Sequence, residues 1–375
     1  MAVNGFAPFV AATSDAAANQ TFFTPSENEK SRPSVSRALL RLNGIPEGEA
    51  NLCLWYSNAL DSTFGPGKIV LANTPCGEWD ILEARAWVLP GLVRSPEEAA
   101  AEAPDSAARL TFQGSERFHA DPGAVFRSDP FPVRTEGLKD GKNAATLVLE
   151  TTFSFQGEQI PYHRETLIPV LRKDPDSGAW VPDVRTPLPA FTGVEKKART
   201  VGFLGDSVTQ GIGAGGPDCA FPSLVQDGLG PETAVWNLGI GYARAADVAS
   251  GGFWMLRAAQ NDVVCVCLGL NDIEQGYRSE EICANLKKIV LALRGNGCEV
   301  ILLTPPPFDF TEGKGAVWED VVFYCDEELS RFVKAVVRTD RFLGVSPERH
   351  GQAKYGPHPN AEGHRKIADE LLRIL

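Results

Sequence analysis

Four short segments of this 375-residue chain hold the side chains best suited to covalent chemistry, and three of them close apolar runs. Gly205-Asp206-Ser207-Val208-Thr209-Gln210-Gly211 follows TVGFL, Asn237-Leu238-Gly239-Ile240-Gly241-Tyr242 follows AVW, and Gly269-Leu270-Asn271-Asp272 follows DVVCVCL. His358-Pro359-Asn360 stands just before the last helical pattern. A serine at a tight strand-to-helix turn presents its hydroxyl outward, and the helix N-terminus behind it adds partial positive charge. An imidazole such as that of His358 can take the Ser207 proton and later return it to a leaving group. A glycine-rich backbone turn and the Asn271 amide can donate hydrogen bonds to a developing oxyanion. Loss of one such donor costs about 2.7–4 kcal/mol in a well-studied protease. The chemistry these residue types fit is acyl transfer through a serine.

Such distant residues must be gathered by the fold. TVGFL, AVWNLGIG, DVVCVCLG and EVILLTPPP read as strands, the third apolar on both faces as a central parallel strand is. Between and after them, ADVASGGFWMLRAAQ, SEEICANLKKIVLALRGNG, VWEDVVFYCDEELSRFVKAVV and HPNAEGHRKIADELLRIL read as helices. In the second of these, Ile282, Leu286, Ile289, Val290 and Leu293 share one face, and Gly295 marks the end. The pattern predicts an α/β class, with a three-layer α/β/α core over 196–375. In such open sheets ligands sit beyond the carboxyl ends of the strands, where the polar segments lie.

The first half reads differently. SRALLRLNGI, NLCLWYSNA, GKIVLANTP, AWVLPGLV, ARLTFQG, FPVRTE and AATLVLETTFSF are strand-like runs separated by turn residues, which predicts an antiparallel all-β sandwich. EEAAAEA favours helix and reads as an exposed excursion. Residues 172–199, rich in Pro and charge, read as a linker. The expected division is therefore 1–195, a β-sandwich accessory domain plus linker, and 196–375, a catalytic domain. The core has few long loops of its own, so the N-terminal half is expected to help shape the pocket.

Composition narrows the function further. A net charge of −12 disfavours nucleic acid and anionic membrane surfaces. No apolar run has transmembrane length, and the N-terminus lacks the basic and apolar regions of a secretory signal. Eight cysteines without CxxC or zinc spacing read as reduced core residues, Cys265 and Cys267 within a buried strand, which suits a cytoplasmic protein. The residues call for no metal and no cofactor.

GDSVTQG, NLGIGY, GLND and HPNAEGH together resemble blocks I, II, III and V of the SGNH (GDSL-type) hydrolases, in the family's order over about 200–375. The first half, through FQGSERFHADPGAVFRSDPFPV, resembles the β-sandwich that precedes this core in some bacterial members. The resemblance implies a flavodoxin-like core and Ser207 as nucleophile with His358 as its base. It also implies an oxyanion hole from the Ser207 amide, a block II amide and the Asn271 side chain. Two positions depart from the pattern. Tyr355 stands where the family usually has the aspartate that orients the histidine, so a Ser-His dyad with another acceptor at His358 Nδ1 is expected. Tyr242 stands where block II often has glycine, which leaves Gly241 or Tyr242 as the backbone donor.

Simpler readings exist for each residue. Ser207 could be only a helix N-cap, Asn271-Asp272 only a turn, and His358 only a loop histidine. Asp206 is expected to hold its turn, and His364 to pack structurally. Gly211 to Gly216 satisfies the dinucleotide fingerprint, but the glycines begin several residues after the strand and Asn237, not an acid, follows the second strand. The reading is an esterase acting on a small-molecule or carbohydrate ester, with a short acyl group such as acetyl. An acyltransferase using the same Ser-His site and a catalytically degenerate binding protein are its rivals.

Overall fold

The computed structural model describes residues 10–12, 18–42, 44–45, 47–93, 102–135, 144–195, 198–230, 232–311, 313–344 and 358–375. Its contacts divide the chain into two compact units, residues 1–60 with 74–197, and residues 61–73 with 198–375.

The first unit is built on two antiparallel sheets, one of seven strands and one of five. Strands Ser34–Leu42, Trp79–Pro90 and Ala145–Phe155 form the centre of the larger sheet, and Gly48–Ser57 that of the smaller. Alternate residues such as Leu40 and Leu42, Leu52 and Leu54, and Trp79 and Ile81 enter a common core, the period-2 pattern of a sandwich. All but the end of the segment read as a linker is part of this unit. Val170–Lys173 pairs with Trp180–Pro182 as a hairpin, and Phe191–Glu195 pairs with Gly48–Ser57. Pro182 is tolerated because its strand lies at the sheet edge, where a missing N–H leaves no ladder bond unmade. Most of EEAAAEA lies outside the described residues.

In the second unit five parallel strands run β1 (Arg199–Gly205), β2 (Thr233–Gly239), β3 (Val263–Cys267), β4 (Glu299–Leu303) and β5 (Ala335–Val337). Their order, β2-β1-β3-β4-β5, is the flavodoxin-like order expected of the core, with the switch point between β1 and β3. The helices are α1 (Ser207–Gln210), α2 (Phe221–Leu229), α3 (Ala245–Ala249), α4 (Phe253–Ala258), α5 (Leu270–Glu274), α6 (Ser279–Gly295), α7 (Lys314–Glu327) and α8 (Ala361–Leu372). The five residues assigned to the buried face of α6 are all buried.

Three element readings fail here. The helix read over 246–260 is two short helices, because Gly251 and Gly252 both take positive φ between them. The helix read over 317–337 ends at Glu327, and its last residues form β5, where Val336 pairs with Leu302. GKIVLANTP is not a strand. Residues 61–73, which the sequence assigned to the N-terminal domain, group with the second unit, and Ile69, Val70 and Leu71 are exposed.

That segment is held by its carbonyls rather than by a ladder. The buried Arg244 guanidinium donates to Gly67 O and Ile69 O, both at 2.7 Å, while Asp247 takes its other side at 2.9 Å. Tyr277 Oη donates to Lys68 O at 3.1 Å. Asp61 forms a 2.9 Å ion pair with Arg257, and both side chains are only 2% exposed.

All eight cysteines are free, and seven are buried. Among the described residues no helix is long and apolar enough to cross a membrane.

Candidate active site

Ser207 is the first residue of α1, not its cap. The N-cap is Asp206, whose Oδ1 accepts the Val208 N–H at 2.9 Å. The Ser207 hydroxyl is thereby spared the capping task. It lies 2.7 Å from His358 Nε2, so the two residues expected to act together are in hydrogen-bond contact. The hydroxyl was expected to face solvent, yet Ser207 is only 7% exposed. The turn that carries it is tight: a Cβ on Gly205 would meet Thr209 Oγ1 at 1.9 Å and Cys267 O at 2.7 Å.

His358 is carried at the head of α8, where the Asn360 side chain accepts the Gly363 N–H at 3.0 Å. Behind it, Gly213 fits only as glycine, since its φ is +92° and a Cβ would lie 2.6 Å from Pro359 O. The glycines that satisfied a dinucleotide fingerprint therefore serve this site. Gly211 closes α1 in the left-handed conformation, and Gly213 lets the histidine loop approach. Sequence reasoning gave Gly213 no part here, because close approach of two backbones leaves no local signal. His364 is structural, as expected. It is fully buried, stacks on Phe221 at 5.9 Å, and accepts the Phe221 N–H at Nδ1, with burial lowering its pKa to about 4. Tyr355 lies outside the described residues.

Block II folds against block I. Ile240 N–H donates to Gly205 O at 3.0 Å, and Asn237 bridges Gln210 O and Gly239 N–H. The following turn is closed by Ala243 N–H to Ile240 O at 3.1 Å, which puts Gly241 and Tyr242 at its central positions. Tyr242 has φ 63°, at the place where turns with one positive φ favour glycine. A left-handed conformation costs an ordinary residue roughly 1–2 kcal/mol.

Block III locks this turn in place. Asn271 Nδ2 donates to Ala243 O at 3.0 Å, and its remaining contact, to Asp206 Oδ2, is a long 3.4 Å. Asp272 accepts the Ala245 and Ala246 N–H groups at 2.7 and 3.1 Å, capping α3. Ser207 and His358 thus meet directly, and Asn271 is tied both to Asp206, next to the serine, and to the Gly241–Tyr242 turn.

Asp206 and Asp272 are both fully buried. Burial raises Asp206 to about 7, with the Asp272 charge adding to the rise, and burial likewise raises Asp272 to about 6. A carboxyl whose folded pKa lies above its unfolded value of about 3.9 favours folding most when protonated. Its contribution is fully present below that value and is lost as the pH rises through 7. Relative to Asp206→Asn, which does not titrate, the wild type is expected to lose thermal stability between pH 5 and 8, by at most about 1.4 kcal/mol per unit. Melting curves of both proteins at several pH values check this; a difference independent of pH contradicts it.

Comparison with known proteins agrees with this core. The family model described as GDSL-like Lipase/Acylhydrolase family matches residues 203–366. No curated protein matches the chain. Among solved structures, a member of the lipolytic protein G-D-S-L family from Veillonella parvula is 19% identical, covering 48% of this chain and 98% of its own, with a TM-score of 0.42. A family two carbohydrate esterase from Clostridium thermocellum is 13% identical, with coverage of 95% and 92% and a TM-score of 0.37. A salicylyl-acyltransferase from a tetracycline biosynthetic pathway is 16% identical, with coverage of 92% and 82% and a TM-score of 0.37. Residues 203–366 thus match a GDSL-like lipase/acylhydrolase domain, and a β-rich unit precedes it.

Proposed function

We propose that the chain hydrolyses a short-chain acyl ester, such as an acetyl group on a carbohydrate or another small alcohol, through an acyl-Ser207 intermediate. The observation that carries this reading is the 2.7 Å contact between Ser207 Oγ and His358 Nε2. His358 takes the Ser207 proton as Oγ attacks the ester carbonyl, and returns it to the departing alcohol. Water, activated by the same imidazole, then releases the acid and restores the serine. The oxyanion is held by the Ser207 N–H, by the N–H of Gly241 or Tyr242, and by Asn271 Nδ2, whose second hydrogen has only a long partner. No step calls for a metal or a cofactor.

The oxyanion forms only on the way to the transition state, so Asn271→Ala is expected to lower kcat by about 10²–10³ with little change in KM. Steady-state kinetics on a panel of nitrophenyl esters and acetylated sugars give both constants. A rise in KM alone would assign Asn271 to substrate holding and remove it from the oxyanion hole.

A further inference from the structure

We propose that Tyr242 and Phe64 form an aromatic platform beside Ser207 that receives a ring in the alcohol part of the ester. The inference rests on the short-acyl reading above, which puts any ring on the alcohol side.

Tyr242 is the starting observation. It occupies a left-handed position that glycine would fill without strain, and it is the only aromatic residue among the described residues with a positive φ. The packing of a core does not account for it, because the side chain remains 45% exposed. An unfavourable backbone held under an exposed aromatic ring points to a use for the ring.

Its place points the same way. Tyr242 stands between Gly241 and Ala243, and the Ala243 carbonyl is the acceptor that fixes Asn271. The ring is met edge to face by Phe64, with centroids 4.8 Å apart and planes at 82°. Phe64 in turn sits on a segment that is fastened near both of its ends. Asp61 is paired with Arg257, the Gly67 and Ile69 carbonyls are held by Arg244, and Leu71 N–H donates to Thr63 Oγ1 at 2.5 Å. The segment lacks any ladder, and its apolar side chains at 69–71 stay exposed, so it adds little core. It does hold one aromatic ring against Tyr242. A rigid pair of rings on the turn that holds Asn271 can bind a flat or chair-shaped ring by its face and exclude water there.

The test compares kcat/KM for acetates whose alcohol carries a ring, an acetylated methyl pyranoside and phenyl acetate, with that for the acyclic triacetin. Tyr242→Gly removes the ring and relieves the left-handed strain, so the protein should melt at an equal or higher temperature. It is expected to lower the ring-to-acyclic ratio of kcat/KM at least tenfold, and Phe64→Ala to lower it about threefold. A fall confined to the pyranoside identifies a sugar as the occupant, and one confined to phenyl acetate identifies an arene. A ratio unchanged in both variants overturns the platform, even if all rates drop together, because a uniform loss reports only the oxyanion turn. In that case the esterase reading stands. A wild type that hydrolyses none of the esters overturns both.

Discussion

Ser207→Ala is expected to lower ester hydrolysis by about 10⁴- to 10⁶-fold, to the level left by binding and the oxyanion donors alone. The reason lies in what the hydroxyl does not do. Asp206 caps α1, so Ser207 has no structural task that alanine fails to perform, and the substitution removes a single atom from a tight turn. The melting temperature should therefore move little while turnover disappears. A fluorophosphonate reagent should add its mass to Ser207 in the wild type and leave the variant unmodified. Retention of the wild-type rate on the best ester would place the nucleophile elsewhere. A rate lost together with the fold would show that the turn needs the hydroxyl for stability.

Asp61→Ala is expected to destabilise the second unit by about 3–5 kcal/mol, the usual effect of leaving one partner of a buried ion pair unpaired. Arg257 is buried, and burial already pulls its pKa down against the support of Asp61. Its Nε and Nη1 have no hydrogen-bond partner among the described residues, although the Phe253 ring lies 4.9 Å from the guanidinium carbon. Little else replaces the carboxylate. Replacing both residues, as in Asp61→Ala with Arg257→Met, should recover much of the loss, because the stranded charge is then gone. Denaturant midpoints of the two variants decide the matter. A single variant within about 1 kcal/mol of wild type would mean that the pair does not anchor residues 61–73.

The two predictions divide as the molecule does, between a residue read directly from the chain and a contact that no local pattern announces. Ser207 and Asn271 were legible as candidates because periodicity locates strand ends, and His358 because it stands just before the last helical pattern. Asp206 was read correctly as the residue that holds the turn, since an aspartate bonds the backbone two positions on whatever surrounds it. The parallel sheet and the sandwich were legible for the same reason: alternation and helical spacing are properties of neighbouring residues. Tyr242 was visible as a departure from glycine, while its left-handed backbone emerged only with the turn from Ile240 to Ala243.

Local rules gave the wrong answer wherever a distant group competed. Ile69-Val70-Leu71 has the composition of a strand, but its neighbouring carbonyls are taken by Arg244, about 175 residues away, and by Tyr277. The 172–199 segment has the composition of a linker, yet strands Gly48–Ser57 and Ser34–Leu42 supply it with partners. Residues 335–337 continue a helical pattern, but an open edge at β4 captures them as a fifth strand. Gly213 earned its place from a histidine loop 145 positions downstream, through a clearance that only two assembled backbones define. By itself the sequence determined most of the strands and helices and which polar groups follow them, because dihedral preference and periodicity act between near neighbours. The tertiary structure alone decided which unit residues 61–73 join, which glycines admit His358 and what stands beside Tyr242, because each depends on hydrogen bonds and contacts that exist only once remote segments are packed.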